Sequence, residues 1–353
     1  MKYAHLGKTG LIVSRLSFGV MTFGKATADD PMASVWKTGQ EQASALIECA
    51  LDAGINFFDT ADMYAGGQSE EMLGRALGQR RKDVIISTKI GFRSGDAVTR
   101  AGASCGYILS AAEACLRRLG TDYLDLLSIH KPDPFTPEEE TARALDNLVQ
   151  RGLVRYVGYS NLSAWQAAKF RGIQEKYGWA PFVAAQMYYS LVGRDIEHEV
   201  VPFCHDAGIG IVVWSPLASG FLSGRYTRQD PTGGGGRIAQ SNFLPVDVER
   251  GYALIERMKK IAAGHRATVA QVALAWMLAK PFVSTILLGA SKTAQLEDNL
   301  GALNVTLDAT ELAELDTMTA PAPLYPGWFQ AATRDEVSTK ALAGETPVPQ
   351  KAA

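Results

Sequence analysis

The chain has 353 residues, 47% hydrophobic and 20% charged, the balance of an ordinary folded globular protein. Its formal net charge of −2 gives no general attraction to nucleic acid or to an anionic membrane, and no apolar run is long enough to span a bilayer. The four cysteines, Cys49, Cys105, Cys115 and Cys204, are scattered and form no C-x-x-C pair, which excludes both a disulfide framework and a zinc site as expectations.

Residues 1–24 combine β-type residues with a Lys8-Thr9-Gly10 turn, the pattern of an N-terminal hairpin. The opening Met1 to Gly7 lacks the apolar core of a signal peptide, so a reducing cytoplasm is the expected location. A helical pattern over Glu41–Asp52 stops at Ala53-Gly54. A strand then leads to Asp59, and the next helix is expected to begin near Ser69, a good N-cap followed by acidic Glu70 and Glu71. Strand Val84–Lys89 comes next. Helix and strand then alternate: Tyr107–Leu119 with Tyr123–His130, Pro137–Gln150 with Tyr156–Ser160, Ala164–Tyr177 with Phe182–Gln186, and Ile196–Ala207 with Ile209–Trp214.

After Trp214 the rhythm breaks. Residues 223–244 are polar and glycine-rich, with Gly233 to Gly236 in a row; helices over Val248–Ala263 and Thr268–Leu278 then precede a last apolar run, Ser284–Gly289. Residues 320–353, rich in Pro and Ala, read as a C-terminal loop and mobile tail. Short β-rich runs alternating with helices indicate buried parallel strands. The expected fold is α/β, an (α/β)8 TIM barrel forming a single domain over 1–353. Seven strands are legible, and the eighth is expected in the irregular region.

Asp59, Tyr64, Lys89 and His130 each stand at or just beyond the end of a predicted strand, and in a closed parallel barrel those ends meet on one face. A free phenol titrates near ~10, too high for easy proton transfer at neutrality. An ammonium beside it, from Lys89, lowers that value, and Asp59 can hold the lysine by ion pairing. A neutral His130 can donate a hydrogen bond to a carbonyl oxygen. Such a set protonates an oxygen as it gains negative charge, which is what hydride addition to an aldehyde or ketone requires. Singly, an Asp after a strand is often a helix cap and a strand-end Lys is often solvated. Their joint placement carries the reading.

These residues lie in motifs through which the chain resembles the aldo-keto reductase superfamily from Tyr3 to Thr319. The motifs are Gly54-Ile55-Asn56-Phe57-Phe58-Asp59-Thr60-Ala61-Asp62-Met63-Tyr64, Ser87-Thr88-Lys89, Ser128-Ile129-His130, Gly158-Tyr159-Ser160-Asn161, Trp214-Ser215-Pro216-Leu217-Ala218-Ser219-Gly220 and Leu288-Gly289-Ala290-Ser291-Lys292. The resemblance implies a barrel that reduces carbonyls with a nicotinamide cofactor and no metal. Tyr64 is then the general acid, Lys89 and Asp59 tune it, and His130 orients the carbonyl.

The same resemblance implies a cofactor site. Ser160, Asn161 and Gln186 would grip the nicotinamide amide, Trp214 would stack on the ring, and Gly19, Val20 and Asp59 would border it. Without the family, Trp214 reads as core. Ser215, Pro216, Leu217 and Ser219, with Arg225, match the segment that wraps the pyrophosphate. The helix after Gly289 starts at a natural anion site; Ser291, Lys292 and Gln295 match positions near the 2′-phosphate, and Asp298 and Asn299 positions at the adenine. Lys292 implies NADPH in preference to NADH.

Other signals lead elsewhere or nowhere. No G-x-G-x-x-G follows a strand, so a Rossmann site is not indicated. Gly233–Gly236 lacks the Lys-Ser/Thr of a phosphate loop and reads as a flexible loop over the cofactor. His198 and His205 have no third ligand, so no metal is expected. Candidates for an apolar substrate wall around Tyr64 and His130 are Phe23, Trp36, Met63, Phe92, Tyr325 and Trp328, with residues 29–38 and 93–106 as specificity loops. The expected partner is a small carbonyl compound; oligomeric state is not legible. The chain also resembles the barrel β-subunits of voltage-gated potassium channels, especially in Pro132-Asp133-Pro134, Trp214–Ala218 and Leu288–Gln295, which leaves a cofactor-binding regulatory module as the rival reading. Those relatives typically carry Asn at the position of His130, and His there favours a working enzyme. The same groups serve alcohol oxidation by microscopic reversibility.

Overall fold

A computed structural model describes residues 1–25, 35–234 and 243–342. The chain opens with β1 (Tyr3–His5) and β2 (Ile12–Ser14), an antiparallel hairpin. It continues into β3 (Leu16–Gly19) and a small antiparallel pair, β4 (Gly24–Lys25) with β5 (Lys37–Thr38). Helix and strand then alternate as α1 (Gln40–Asp52), β6 (Phe57–Asp59), α2 (Gln68–Leu77), β7 (Ile85–Ile90), α3 (Cys105–Leu119) and β8 (Leu124–Ile129). The series goes on through α4 (Glu138–Gln150), β9 (Val154–Ser160), α5 (Ala164–Tyr177), β10 (Phe182–Tyr188), α6 (Val200–Ala207) and β11 (Gly210–Trp214). It closes with α7 (Val248–His265), α8 (Val269–Leu278), β12 (Val283–Gly289), α9 (Thr293–Leu300) and α10 (Ala309–Thr319).

Eight parallel strands close a barrel in the order β10-β11-β12-β3-β6-β7-β8-β9. The TIM barrel expected from the alternation is therefore present, but its eighth strand is not in the irregular region after Trp214. It is β3, inside the stretch expected to be hairpin. Only Arg15 separates β2 from β3, and β3 is four residues long, so locally it looks like the end of a hairpin. Its parallel partners, β6 and β12, lie far along the chain.

Strand alternation decides what enters the barrel. Phe57, Ile85, Leu126, Ala184, Val212 and Leu287, one from each of six barrel strands, form a cluster with Leu6 and Val13, so the hairpin closes that end. The intervening Phe58, Ile86, Leu127, Val157 and Val213 belong to the larger core shared with the helices. Two residues beyond the inner cluster come Asp59, Ser87, Ser128, Gln186 and Trp214, and then Lys89 and His130. The period of two thus aims these polar groups inward at the carboxyl end.

Helix α2 begins at Gln68, beside Ser69 as expected, but its N-cap is Gly67 and not Ser69. Ser69 is buried within the helix; its hydroxyl donates to the Val20 carbonyl (2.9 Å) and lies 2.9 Å from Thr60 Oγ1. Barrel partners outcompete the helix's own N–H groups for it. The turn before α2 is left-handed at Ala65, Gly66 and Gly67, and the Arg118 stem would meet a Cβ at Gly67 at 2.5 Å. Residues 320–342 hold short helices α11 (Gly327–Ala332) and α12 (Glu336–Ala341). The tail's last residues, most of the loop over 29–38, and residues 235–236 lie outside the described residues. Among the described residues, no helix is long and apolar enough to cross a membrane.

Candidate active site

The register of the barrel brings the strand ends level. Gly19 pairs with Asp59, Asp59 with Ser87, Lys89 with Ser128, Gln186 with Ser160 and Tyr188 with Trp214. Asp59, Tyr64, Lys89 and His130 accordingly meet at one mouth.

Lys89 is fully buried, and its ammonium has three hydrogens to place. It donates to Asp59 Oδ1 at 2.5 Å and to the Thr60 carbonyl at 2.6 Å. Its remaining partner is the Tyr64 side chain, with Nζ 5.1 Å from the ring centroid. Burial alone would lower the lysine's pKa, but the charges and hydrogen bonds of Asp59 and Tyr64 outweigh it and raise the value. Lys89 therefore stays an ammonium. The other oxygen of Asp59 accepts from Ser87 Oγ (2.9 Å) and Gln186 Nε2 (2.8 Å), so both carboxylate oxygens are satisfied.

The Tyr64 phenol moves opposite to expectation. Lys89 does pull its pKa down, but burial pushes it up more strongly, aided by the charges of Asp59 and Asp62, and the net shift is upward. Tyr64 is thus a fully protonated donor at neutral pH. His130 sits edge-on to Tyr64 (centroids 5.8 Å) and to Phe92 (4.6 Å). Burial, with Lys89 and Lys131 nearby, drives its pKa well below the usual imidazole value. The ring is therefore neutral, and its Nδ1 has no hydrogen-bond partner among the described residues.

A second polar chain runs beside the first. Ser160 Oγ donates to the Gln186 carbonyl (2.8 Å), while Asn161 Nδ2 donates to the His130 carbonyl (3.0 Å) and Ser160 Oγ (2.9 Å). Trp214 Nε1 donates to Asn161 Oδ1 (3.2 Å). Trp214 is half-buried at the end of β11, beside Tyr188 (5.2 Å), and is not core. Past it, Ser215, Ala218, Ser219 and Gly220 adopt left-handed backbone around buried Pro216 and half-buried Leu217. Gly289, Lys292 and Gln295 are exposed at the start of α9, where the Ser291 N–H donates to Gln295 Oε1 (3.2 Å). Arg225 and Lys292 are exposed cations with no carboxylate partner among the described residues. Asp298 accepts from Gln271 (3.0 Å) and Thr268 (3.3 Å) at the start of α8, and Asn299 is buried.

The substrate wall is only partly as expected. Phe92 is in place against His130, and half-buried Met63 adjoins Tyr64. Trp36 packs with Val35 and Ala65, next to Tyr64 in the chain. Phe23 is not available, being fully buried and packed edge-on against Phe18 at 6.1 Å. Tyr325 and Trp328 are exposed, and their ring contacts are with each other and Phe329. Sequence reasoning missed Ser87 and the Thr60 carbonyl, which fasten Asp59 and Lys89. The signal was present: Ser87 precedes Lys89 by two residues on one strand and so shares its face.

Comparison with known proteins bears on this geometry. The model of the Aldo/keto reductase family matches residues 15–320. A protein of Aspergillus parasiticus named versiconal hemiacetal acetate reductase is 34% identical over 351 residues, covering 93% of this chain and 99% of the relative. An aldo-keto reductase of Fusarium vanettenii is 32% identical, over 91% and 92% of the two chains. A protein of Arabidopsis thaliana named "Probable voltage-gated potassium channel subunit beta" is 37% identical over 317 residues, covering 86% and 92%.

Proposed function

The chain belongs to the aldo/keto reductase family and is an oxidoreductase of carbonyl compounds, and from that premise we propose that it reduces an aldehyde or ketone using NADPH and a proton from Tyr64. The observation that carries the reading is the buried Lys89 ammonium, shared among Asp59, the Thr60 carbonyl and Tyr64.

The residues present fit the cofactor. Trp214 offers a half-buried indole at the mouth, and the amide and hydroxyl groups of Asn161 and Ser160 stand beside it. Arg225 and Lys292 supply exposed positive charge for phosphates, and the N-terminus of α9 adds its dipole. Asp298, tied to Gln271 and Thr268 at the start of α8, and buried Asn299 would serve the adenine end only from fixed positions. When bound, the reduced nicotinamide supplies the hydride.

The chain's own groups do the rest. Neutral His130 donates a hydrogen bond to the substrate oxygen and holds it beside Tyr64. As that oxygen gains an electron pair it takes the Tyr64 proton, and the phenolate left behind is stabilised by the Lys89 ammonium. Asp59, held by Ser87 and Gln186, keeps Lys89 in place.

The test is loss of reduced-nicotinamide absorbance when the protein meets NADPH and a panel of activated aromatic aldehydes. Turnover supports the proposal. NADPH binding without turnover on any carbonyl would favour the second reading, a cofactor-binding regulatory module, which the identity to the channel-subunit relative supports. Lys292→Ala is expected to raise KM for NADPH by roughly tenfold or more, the worth of one charge-assisted hydrogen bond, and to leave KM for NADH nearly unchanged. Equal changes for both cofactors would remove Lys292 from the phosphate site. Phe92→Ala should raise KM for the carbonyl by roughly three- to tenfold, the loss of one aromatic contact, with NADPH affinity intact. Trp328→Ala should change neither; a matching rise there would restore the tail to the substrate wall.

A further inference from the structure

Asp62 stands two residues before Tyr64 and is 4% exposed, yet the chemistry above gives it no task. Its backbone N–H donates to the Lys89 carbonyl (2.9 Å), so β7 fixes its position. Its Oδ2 lies 3.1 Å from Tyr107 Oη on α3, and its Oδ1 has no partner among the described residues. Tyr107 Oη is at the same time 3.0 Å from the Phe92 carbonyl and 3.1 Å from Ser94 Oγ.

Counting protons decides how this junction works. A phenol has one hydrogen to give and lone pairs to accept with. The Phe92 carbonyl can only accept, and an ionised Asp62 can only accept. One Tyr107 hydrogen cannot serve both. The Asp62 and Phe92 contacts are both satisfied when Asp62 carries a proton and donates it to Tyr107 Oη. Tyr107 is then free to donate to the Phe92 carbonyl.

We propose that Asp62, held neutral, is a positioning residue: by donating to Tyr107 it leaves the Tyr107 hydroxyl to hold the Phe92 carbonyl, and so sets the ring that packs against His130. Its effect on turnover rests on the carbonyl-reducing function proposed above; the geometry of Phe92 does not.

The surroundings agree. Among the described residues Asp62 has no ion-pair partner. Arg118 of α3, whose charge reaches it, is committed to Glu70 of α2 at 2.6 Å, and Thr88 Oγ1 donates to the other Glu70 oxygen at 2.6 Å. Cys115 of α3 and Tyr64 also face Asp62, and burial pushes both of their pKa values up, so neither adds charge at neutral pH. Burial and then the Glu70 charge push the Asp62 carboxyl up to about 7, against the pull of Tyr107 and Arg118. Above that pH the ionised carboxylate claims the Tyr107 hydrogen. The Phe92 carbonyl is left facing a lone pair, and residues 92–94 are released from their place beside His130.

The test compares the pH profile of kcat/KM for NADPH-dependent carbonyl reduction in the wild type and in Asp62→Asn, whose amide is neutral at every pH and can donate to Tyr107. The wild type should fall by roughly three- to tenfold above neutrality, as one aromatic contact is lost. Asp62→Asn should match it in mild acid and hold that level into mild alkali. Neither other site group titrates there, since Tyr64 lies above its ordinary value and His130 well below its own. A wild type with no such fall, a fall kept in Asp62→Asn, or a variant weak at every pH would each overturn the proposal. Should Asp62→Asn fail to fold, Tyr107→Phe removes the shared hydroxyl, and the low level at every pH is expected; persistence of the fall would count against us. Independently of turnover, the NMR signals of the His130 ring, packed on Phe92, should shift across neutrality in the wild type and stay still in Asp62→Asn. A silent His130 overturns the proposal. A shifting His130 in a protein that reduces no carbonyl upholds it and refutes the functional reading.

Discussion

Tyr64→Phe is expected to lower kcat by roughly a thousandfold, within the usual range for removing a general acid, while NADPH binds as before. The substitution keeps the ring that packs against His130 and deletes only the hydroxyl. Lys89 then keeps Asp59 and the Thr60 carbonyl as partners, so the barrel end should stay folded. Single-turnover measurement with bound NADPH separates the chemical step from binding. A variant retaining more than about a tenth of the activity would show that the proton comes from elsewhere.

Lys89→Met should produce the largest loss of stability among single changes at the site. It leaves Asp59, 3% exposed, without its cation, and breaking one side of a buried pair costs about 3–5 kcal/mol. Ser87 and Gln186 still donate to Asp59, which places the expected cost at the lower end. Denaturant unfolding of the apoprotein measures it. Adding Asp59→Asn should recover much of the loss, because the unpaired charge is gone. Should the double variant be no more stable than the single one, the buried charge was not the cause. Turnover should stay low in both, since neither holds an ammonium beside Tyr64.

Seven of the eight barrel strands were legible because each is a short apolar run bounded by turn residues, and all but the run ending at Trp214 lead into a helix-period pattern. β3 was not, since nothing in Leu16-Ser17-Phe18-Gly19 distinguishes a parallel barrel strand from the end of a hairpin. Ser69 looked like a helix cap because its neighbours Glu70 and Glu71 suit a first turn; only the approach of Val20 and Thr60 shows that its hydroxyl serves the barrel instead. The meeting of Asp59, Tyr64, Lys89 and His130 was legible from strand ends alone. The hydrogen bond of Gln186 to Asp59 was not, because it joins β10 to β6 across the barrel interior.

The substrate wall was the least legible part. Phe23, Phe92 and Trp328 are alike as aromatic residues near loops. One is sealed against Phe18, one faces His130, and one lies exposed on the C-terminal segment. Hydrophobicity says that a ring seeks cover, but the cover is provided by residues distant in the chain.

What the sequence determined by itself is the alternation of elements, the inward period of two along each strand, and the chemical types gathered at the strand ends. These follow from neighbours in the chain, because helix and strand periods and turn preferences are local. The tertiary structure alone decided the position of β3, the sign of the Tyr64 shift and which groups share the Tyr107 hydroxyl. Each of these depends on which charges and hydrogen-bond partners share a space from which water is excluded. There the cost of an unpaired charge is large enough to reverse what the side chain would do in solvent.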